Sequence, residues 1–410
     1  MSDVAPLPER ARLFHVGIPK SGTTALQTAA SAGRDDLREH GVLYPGRRFN
    51  HRLAVLSFMG RRWGWSNDAV PPRKHWDELM AEIEDDHRRR VLFGHEFASE
   101  SDAETAKRFV DAIGEDCHIA VTLRSPGEIL PSAWQQYVKA GISIPFDKWL
   151  EAVIADPPNR RVTKGFHDRN DQAGVVQRWA DAAGPDRVTV VVLNKQHPEL
   201  LFGAFEQLLD LPSGILASHA VGGSSSNRGL TVPEVELFRA LNAIIRPHHV
   251  EWADYERIVR QGAHRRIMES RTSDEARPQL PPWAVKRAAE IGAGYAEAIA
   301  TTGVQVIGDL DKLAEEVPAR EYDDAPPTQI PVELAAEAMA GMLSSATFRG
   351  AAFDEQNKKA AAHELALRKA RVKGRAQKYT GKEVAMFAVW FFGARVQRVG
   401  SALRKLVSRR

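Results

Sequence analysis

Arg12-Leu13-Phe14-His15-Val16-Gly17-Ile18-Pro19-Lys20-Ser21-Gly22-Thr23-Thr24-Ala25 is the stretch that decides the fold. Its apolar start predicts a buried strand, Gly17 to Gly22 a tight loop, and Leu26-Gln27-Thr28-Ala29-Ala30 behind it the opening of a helix. Strand, glycine-bounded loop and helix N-terminus together form an anion cradle. Glycine permits the turn, successive N–H groups converge on one anion, and the helix dipole adds partial positive charge. The loop departs in one respect from the nucleotide-hydrolase pattern G-x-x-x-x-G-K-[ST]. Gly17, Gly22 and Thr24 fit that spacing, but Thr23 stands where the lysine belongs and the loop's lysine is Lys20. A hydrolase needs its lysine on the β- and γ-phosphates. A lysine three residues earlier suits one phosphate bridged to a leaving group.

A second segment has the same logic. Cys117-His118-Ile119-Ala120-Val121-Thr122-Leu123 predicts a buried strand, ending at Arg124-Ser125-Pro126, with a helix through Gly141 that carries Ser132. An arginine at the C-terminal end of a parallel strand enters the crevice where open sheets bind ligands, and its planar fork meets a phosphate with two parallel bonds. Ser132, two turns on, adds a hydroxyl.

Pro19-Lys20-Ser21-Gly22-Thr23-Thr24 resembles the 5′-phosphosulfate loop of sulfotransferases that use 3′-phosphoadenosine 5′-phosphosulfate (PAPS), and the Arg124/Ser132 pair resembles their 3′-phosphate site. The likeness covers roughly residues 10–315 and is similar to bacterial polysaccharide-type members, whose G-[VI]-x-Y-P stretch is here Gly41-Val42-Leu43-Tyr44-Pro45. The resemblance implies an in-line transfer of a sulfuryl group from PAPS, without a metal, to a hydroxyl of a carbohydrate or glycolipid. It implies that Gly17, Lys20, Ser21, Gly22, Thr23 and Thr24 hold the 5′ side of the donor, with Lys20 also stabilising the leaving phosphate, and that Arg124 and Ser132 hold the 3′-phosphate. The base expected at a strand end is Glu96 or His95, in Gly94-His95-Glu96; His51 is a candidate acceptor contact. Two family features are missing. Ala25 replaces the tryptophan that packs on adenine, and no G-x-x-G-x-x-K segment is present, leaving Arg228 as its candidate substitute. The rival readings are a P-loop kinase of a small molecule and a non-catalytic nucleotide-binding protein of the membrane surface.

Outward from these motifs, apolar runs near 12–17, 90–94, 117–123 and 187–193 alternate with helical patterns near 24–40, 74–88, 102–114, 126–140, 172–183 and 198–210. Alternation of this kind predicts an α/β fold, a P-loop-like parallel sheet flanked by helices. Further helices are expected over 232–246, 251–270 and 283–302, and a last strand over 304–307 at the sheet or its edge. Residues 63–73 and 157–171 lack periodicity and are expected as an active-site loop and a lid over the acceptor. Pro-rich residues 316–331 predict a linker between a domain at 10–315 and a helical C-terminal extension at 332–410.

The 410 residues contain one cysteine, Cys117, so no disulfide framework exists and the composition suits a reducing cytoplasm. His248-His249 lacks partners at metal-ligand spacing, and no metal is expected. The net charge of +3 conceals a split: residues 357–410 hold 15 Lys and Arg against 2 Glu, leaving −10 on residues 1–356. Within that tail the run Val384–Ala394 is apolar and aromatic but shorter than the roughly 20 residues of a membrane span, and arginines interleave the apolar residues beyond it. An apolar face with aromatic anchors and basic residues predicts a helix lying on an anionic bilayer, the inner membrane face for a cytoplasmic protein. A helix packed on the body and a dimer contact are the alternatives, and the apolar run argues against nucleic acid. Deleting residues 357–410 is expected to release the protein from anionic vesicles in a flotation assay, and added salt to weaken the full chain's binding. A full-length protein that ignores such vesicles at low salt would leave the packed or dimerising helix.

Overall fold

The structure, a computed structural model, describes residues 4–62, 69–159, 162, 165–220, 228–248, 250–270, 275–321, 327 and 329–347. The basic tail and the predicted helix over 354–379 lie outside them, as do 63–68 of the expected active-site loop. A compact unit runs to Met342.

Its sheet consists of β1 (Arg12–Gly17), β2 (Val42–Leu43), β3 (Arg90–Gly94), β4 (Cys117–Arg124), β5 (Val188–Leu193) and β6 (Gln305–Ile307). The order is β2-β3-β1-β4-β5-β6, and every pairing is parallel. All the strand ends that carry the motifs therefore point the same way. The first strand lies centrally, with Arg12 opposite both Val91 and Cys117. The chain thus leaves β1 toward one neighbour and returns on its other side, which opens a crevice at the C-terminal end of β1.

Alternation along the strands builds two cores. Phe14, Val16, Val91, Phe93, Ile119, Val121 and Leu123 face one layer. That layer is α3 (Arg52–Met59), α4 (Lys74–Asp85), α5 (Ala103–Ile113), α6 (Pro126–Lys139), α7 (Phe146–Val153), α9 (Gln172–Ala183), α12 (Val232–Ile245) and α15 (Pro282–Ala300). Leu13, Leu92, Ala120 and Val191 face the other, formed by α1 (Thr23–Ala32), α2 (Arg34–Glu39), α10 (Leu200–Leu209) and α11 (Ile215–Ser218). Because the central strands are buried on both faces, they read in sequence as largely apolar runs.

Four differences from the expected elements have physical causes. The helix expected over 24–40 is two helices, broken at Gly33, where a Cβ would stand 2.4 Å from the ring of His219. The helix expected over 251–270 is continuous in direction but changes type: α13 (Trp252–Tyr255), a π-helix over Glu256–His264, then α14 (Arg265–Ser270). Part of the expected lid folds as α8 (Phe166–Asn170), while 160, 161, 163 and 164 are outside the described residues. The stretch expected as a linker starts as a packed segment: Arg320 makes a two-pronged ion pair with Asp147 at 2.8 and 3.1 Å, and its N–H donates to Leu280 O. The strand expected over 304–307 is present as β6, at the sheet edge beside β5.

Three histidines are locked in neutral form inside this frame. Burial lowers His15, His51 and His118 from the ordinary 6.5 to about 4 each. The unfolded chain takes up protons at these sites before the folded one does. The stability they contribute is therefore whole above about 6.5 and is lost as pH falls toward about 4. Thermal melts across this range should show a falling Tm, and a flat profile would mean that the three rings are solvated.

Candidate functional site

The loop after β1 is built by backbone conformations that most residues avoid. Gly17, Lys20 and Gly22 have φ of +87°, +70° and +80°. At Gly17 the reason is contact: a Cβ there would lie 2.6 Å from the Cβ of Glu96 and 2.8 Å from its Cα. The first residue of the loop and Glu96, two residues beyond β3, thus touch with no room for a side chain between them. Lys20 has no such excuse. A left-handed conformation costs a residue with a Cβ roughly 1–2 kcal/mol, and such strain concentrates at functional positions.

Behind the loop a chain of hydroxyls holds its shape. Ser21 Oγ donates to Ile18 O at 2.6 Å, so the Thr122 hydroxyl, 2.6 Å away, donates to Ser21. With its single hydrogen spent, Thr122 Oγ1 accepts from His15 Nε2 at 3.0 Å, which fixes that tautomer. Ser21 is therefore fully buried and turned into the sheet, and braces the loop rather than facing a ligand. Ahead of it, α1 starts at Thr23 with Gly22 as N-cap and no side-chain cap, so the N–H groups of the first turn are open to an anion. Thr23 is buried at 3% exposure, while Thr24 is exposed.

Lys20 Nζ reaches α6, donating to Gln136 Oε1 at 3.4 Å. Burial lowers its pKa, and the Glu96 carboxylate partly restores it. Glu96 itself has its two oxygens in different states. Oε2 accepts from Gln27 Nε2 at 3.2 Å and lies 3.4 Å from His95 Nε2, whereas Oε1 has no hydrogen bond among the described residues. His95 Nδ1 accepts from Phe97 N–H at 3.2 Å, capping the 3₁₀ helix over Glu96–Glu100. That leaves Nε2–H to point at Glu96. Burial lowers the pKa of His95, Glu96 opposing, which keeps it neutral. Its side chain is 4% exposed against 19% for that of Glu96.

The remaining predicted residues separate. Arg124 closes β4 on the other side of β1. Its Nε donates to Glu128, and its backbone is clamped by Gln172, whose Nε2 donates to Arg124 O at 2.7 Å and whose Oε1 accepts from Arg124 N–H at 3.3 Å. Ser132 donates back into its own helix, to Ile129 O at 2.9 Å. Arg228 is turned inward: its fork grips Glu234 with two bonds of 2.7 Å, and Glu234 is wholly buried and closes the capping box of α12. In this structure its guanidinium is committed to α12. His51 is 5% exposed, with Nε2 donating to Pro45 O at 2.8 Å and Nδ1 accepting from Gly94 N–H at 3.2 Å. Neither nitrogen is left for an acceptor; the ring instead ties the Tyr44-Pro45 stretch to the end of β3.

Gln27, Gln136, Thr122 and His15 complete the site without having been singled out in the sequence. Nothing in their local pattern marks them, because each partner is distant along the chain. Among the described residues no group of His, Cys, Asp or Glu has metal-site geometry. Two cavities lie elsewhere. One of about 200 Å³ is lined by Ile129, Val153, Phe166 and Tyr295, and one of about 460 Å³ by Glu100, Asp102, Asp168 and Arg178.

No family model matches the chain, and no curated protein matches it. Among solved structures it is similar to a crystal structure of a sulfotransferase from Alicyclobacillus acidocaldarius. The two are 17% identical over 60% of this chain and 99% of the other, with a TM-score of 0.38. The fold assignment stands on the parallel sheet itself.

Replacing Lys20 with glycine relieves the left-handed strain and costs unfolded-state entropy, so Lys20→Gly should keep or raise stability by up to about 1 kcal/mol. Lys20→Ala, which keeps the strain, should not gain. A clear drop in Tm for Lys20→Gly would show that the bond to Gln136 is structural.

Proposed function

We propose that the protein is a sulfotransferase that moves the sulfuryl group of PAPS to a hydroxyl of a carbohydrate or glycolipid. One observation carries the reading: a lysine and a carboxylate converge on the anion loop, Lys20 inside it and Glu96 packed on its first glycine. The position that a nucleotide hydrolase fills with lysine holds Thr23.

In this reading the open N–H groups at the start of α1, with Thr23 and Thr24, hold the 5′-phosphate. The terminal nitrogens of Arg124 receive the 3′-phosphate, and Ser132 joins them once its hydroxyl turns from Ile129. The acceptor oxygen attacks sulfur and passes its proton to Glu96 Oε1. The bond from sulfur to the 5′-phosphate oxygen breaks, and its electron pair stays on that oxygen, where Lys20 stabilises the charge. A desolvated ammonium suits that task, because little water competes for it. Glu96 is preferred to His95 as base because its free oxygen faces out, while His95 spends one nitrogen on a cap and directs the other at Glu96. His95 is then a positioning residue. Residues 357–410 would keep the enzyme on an anionic bilayer.

Incubating the protein and cell extract with sulfur-labelled PAPS should label an acceptor. Lys20→Ala should lower turnover by on the order of a hundredfold or more. Glu96→Gln should cut turnover while PAPS affinity holds, and Arg124→Ala should weaken PAPS far more than an analogue without the 3′-phosphate. Greater damage to turnover from His95→Ala than from Glu96→Gln, with folding intact, would move the base to His95. ATP turnover with Mg²⁺ would replace the reading with a small-molecule kinase. PAPS binding without transfer would leave a nucleotide-binding module.

A further inference from the structure

Lys139 ends α6, and its ammonium has no hydrogen bond or ion pair among the described residues. Its electrostatic neighbours are Lys20, Arg260 and Arg228, with Glu234 as the weakest influence and already held by the Arg228 fork. Burial first, and these cations after it, bring the pKa of Lys139 down to about 7. His264 faces Lys139, Arg260 and Arg228, and its Nε2 is buried without a partner among the described residues. From α3, Arg52 adds its charge near Arg260. The Lys20 loop, the π-helix and the segment before α12 therefore bring positive charge to the end of α6.

One of these cations, Arg260, sits on the π-helix over Glu256–His264, beside His264, which burial and the surrounding cations keep neutral. Helices of this type are rare and concentrate at functional sites. Arg260 is held there by Glu256 at 2.5 Å, and its guanidinium lies 5.8 Å from the ring centre of Trp252. The charge is thus fixed in position by its own helix.

Position along α6 gives this charge a role. At a rise of about 1.5 Å per residue, Gln136 lies about 6 Å beyond Ser132, and Lys139 about 4.5 Å beyond Gln136. Ser132 marks the 3′-phosphate end of the donor and Gln136, through Lys20, the reacting sulfur. Lys139 comes next, past the sulfur, where the acceptor must stand. We infer that Lys139, with Arg260 beside it, receives an oxyanion of the acceptor, a carboxylate or a sulfate ester, so that the protein acts on molecules that are already anionic. The inference rests on the sulfotransferase reading and narrows its acceptor class.

The test titrates the full-length protein, saturated with PAPS so that the sulfonate site is filled, with inorganic sulfate and separately with glucuronate, by calorimetry. Wild type should bind at least one of them saturably in the millimolar range. Lys139→Gln should weaken that binding about tenfold, the loss of one charge-assisted bond, while PAPS affinity is unchanged. Lys139→Arg should restore it. Tighter sulfate would point to a sulfated acceptor and tighter glucuronate to a uronic acid. No saturable binding of either anion to the loaded wild type, or equal binding by Lys139→Gln, would overturn the inference and leave the sulfotransferase reading intact. Failure of PAPS itself to bind would overturn both.

Discussion

Everything at the crevice depends on the absence of a side chain at Gly17. Because nothing projects there, the backbone after β3 closes onto the backbone after β1, and Glu96 stands directly over the anion loop. In a sheet ordered β2-β3-β1-β4-β5-β6, β1 has β3 on one side and β4 on the other. The strands are parallel, so the loop, the Glu96 carboxylate and the Arg124 fork emerge at one edge without any long excursion of chain. Glycine at one position and parallel order across three strands are enough to assemble them.

Around that point the protein treats its buried charges in two ways. Some are closed accounts: Arg228 with Glu234, Arg320 with Asp147, Arg124 with Glu128. Each brings a charge out of water only with its partner in place, which limits the desolvation penalty. Others are left open. Lys20 has a neutral amide as its hydrogen-bond acceptor, Lys139 has no partner among the described residues, and Glu96 keeps one oxygen without a bond there. Uncompensated charge is costly in a folded protein, so the places where it persists are the candidates for binding a charged ligand. The geometry also separates polarity by side: the carboxylate lies toward β3, the cations toward α6 and the π-helix.

The sheet was legible in the sequence because its strands are buried on both faces. A short, largely apolar run between polar segments has few other meanings, and the order of glycines and lysine around residue 20 could be read locally. What could not be read was anything that depends on two distant residues meeting. The commitment of Arg228 to Glu234 rests on a capping box at the start of α12, and the burial of His51 on a backbone N–H in β3. Gln27 and Gln136 look like ordinary helix surface until α1 and α6 converge on the loop. The short helices α3, α7 and α8 were missed because each spans too few turns to show a period. The change to π geometry over 256–264 has no signature in composition at all.

The left-handed backbone of Lys20 has a consequence for how such a protein ages. Asparagine tolerates that conformation far better than lysine, and in the genetic code its codons lie one base from those of lysine. A single transversion would therefore yield a more relaxed loop that has lost its ammonium. Drift alone, acting on folding, would carry the chain that way, toward a loop without its positive charge. A lysine at φ +70° sits against the grain of its own backbone, a conformation that folding alone does not favour.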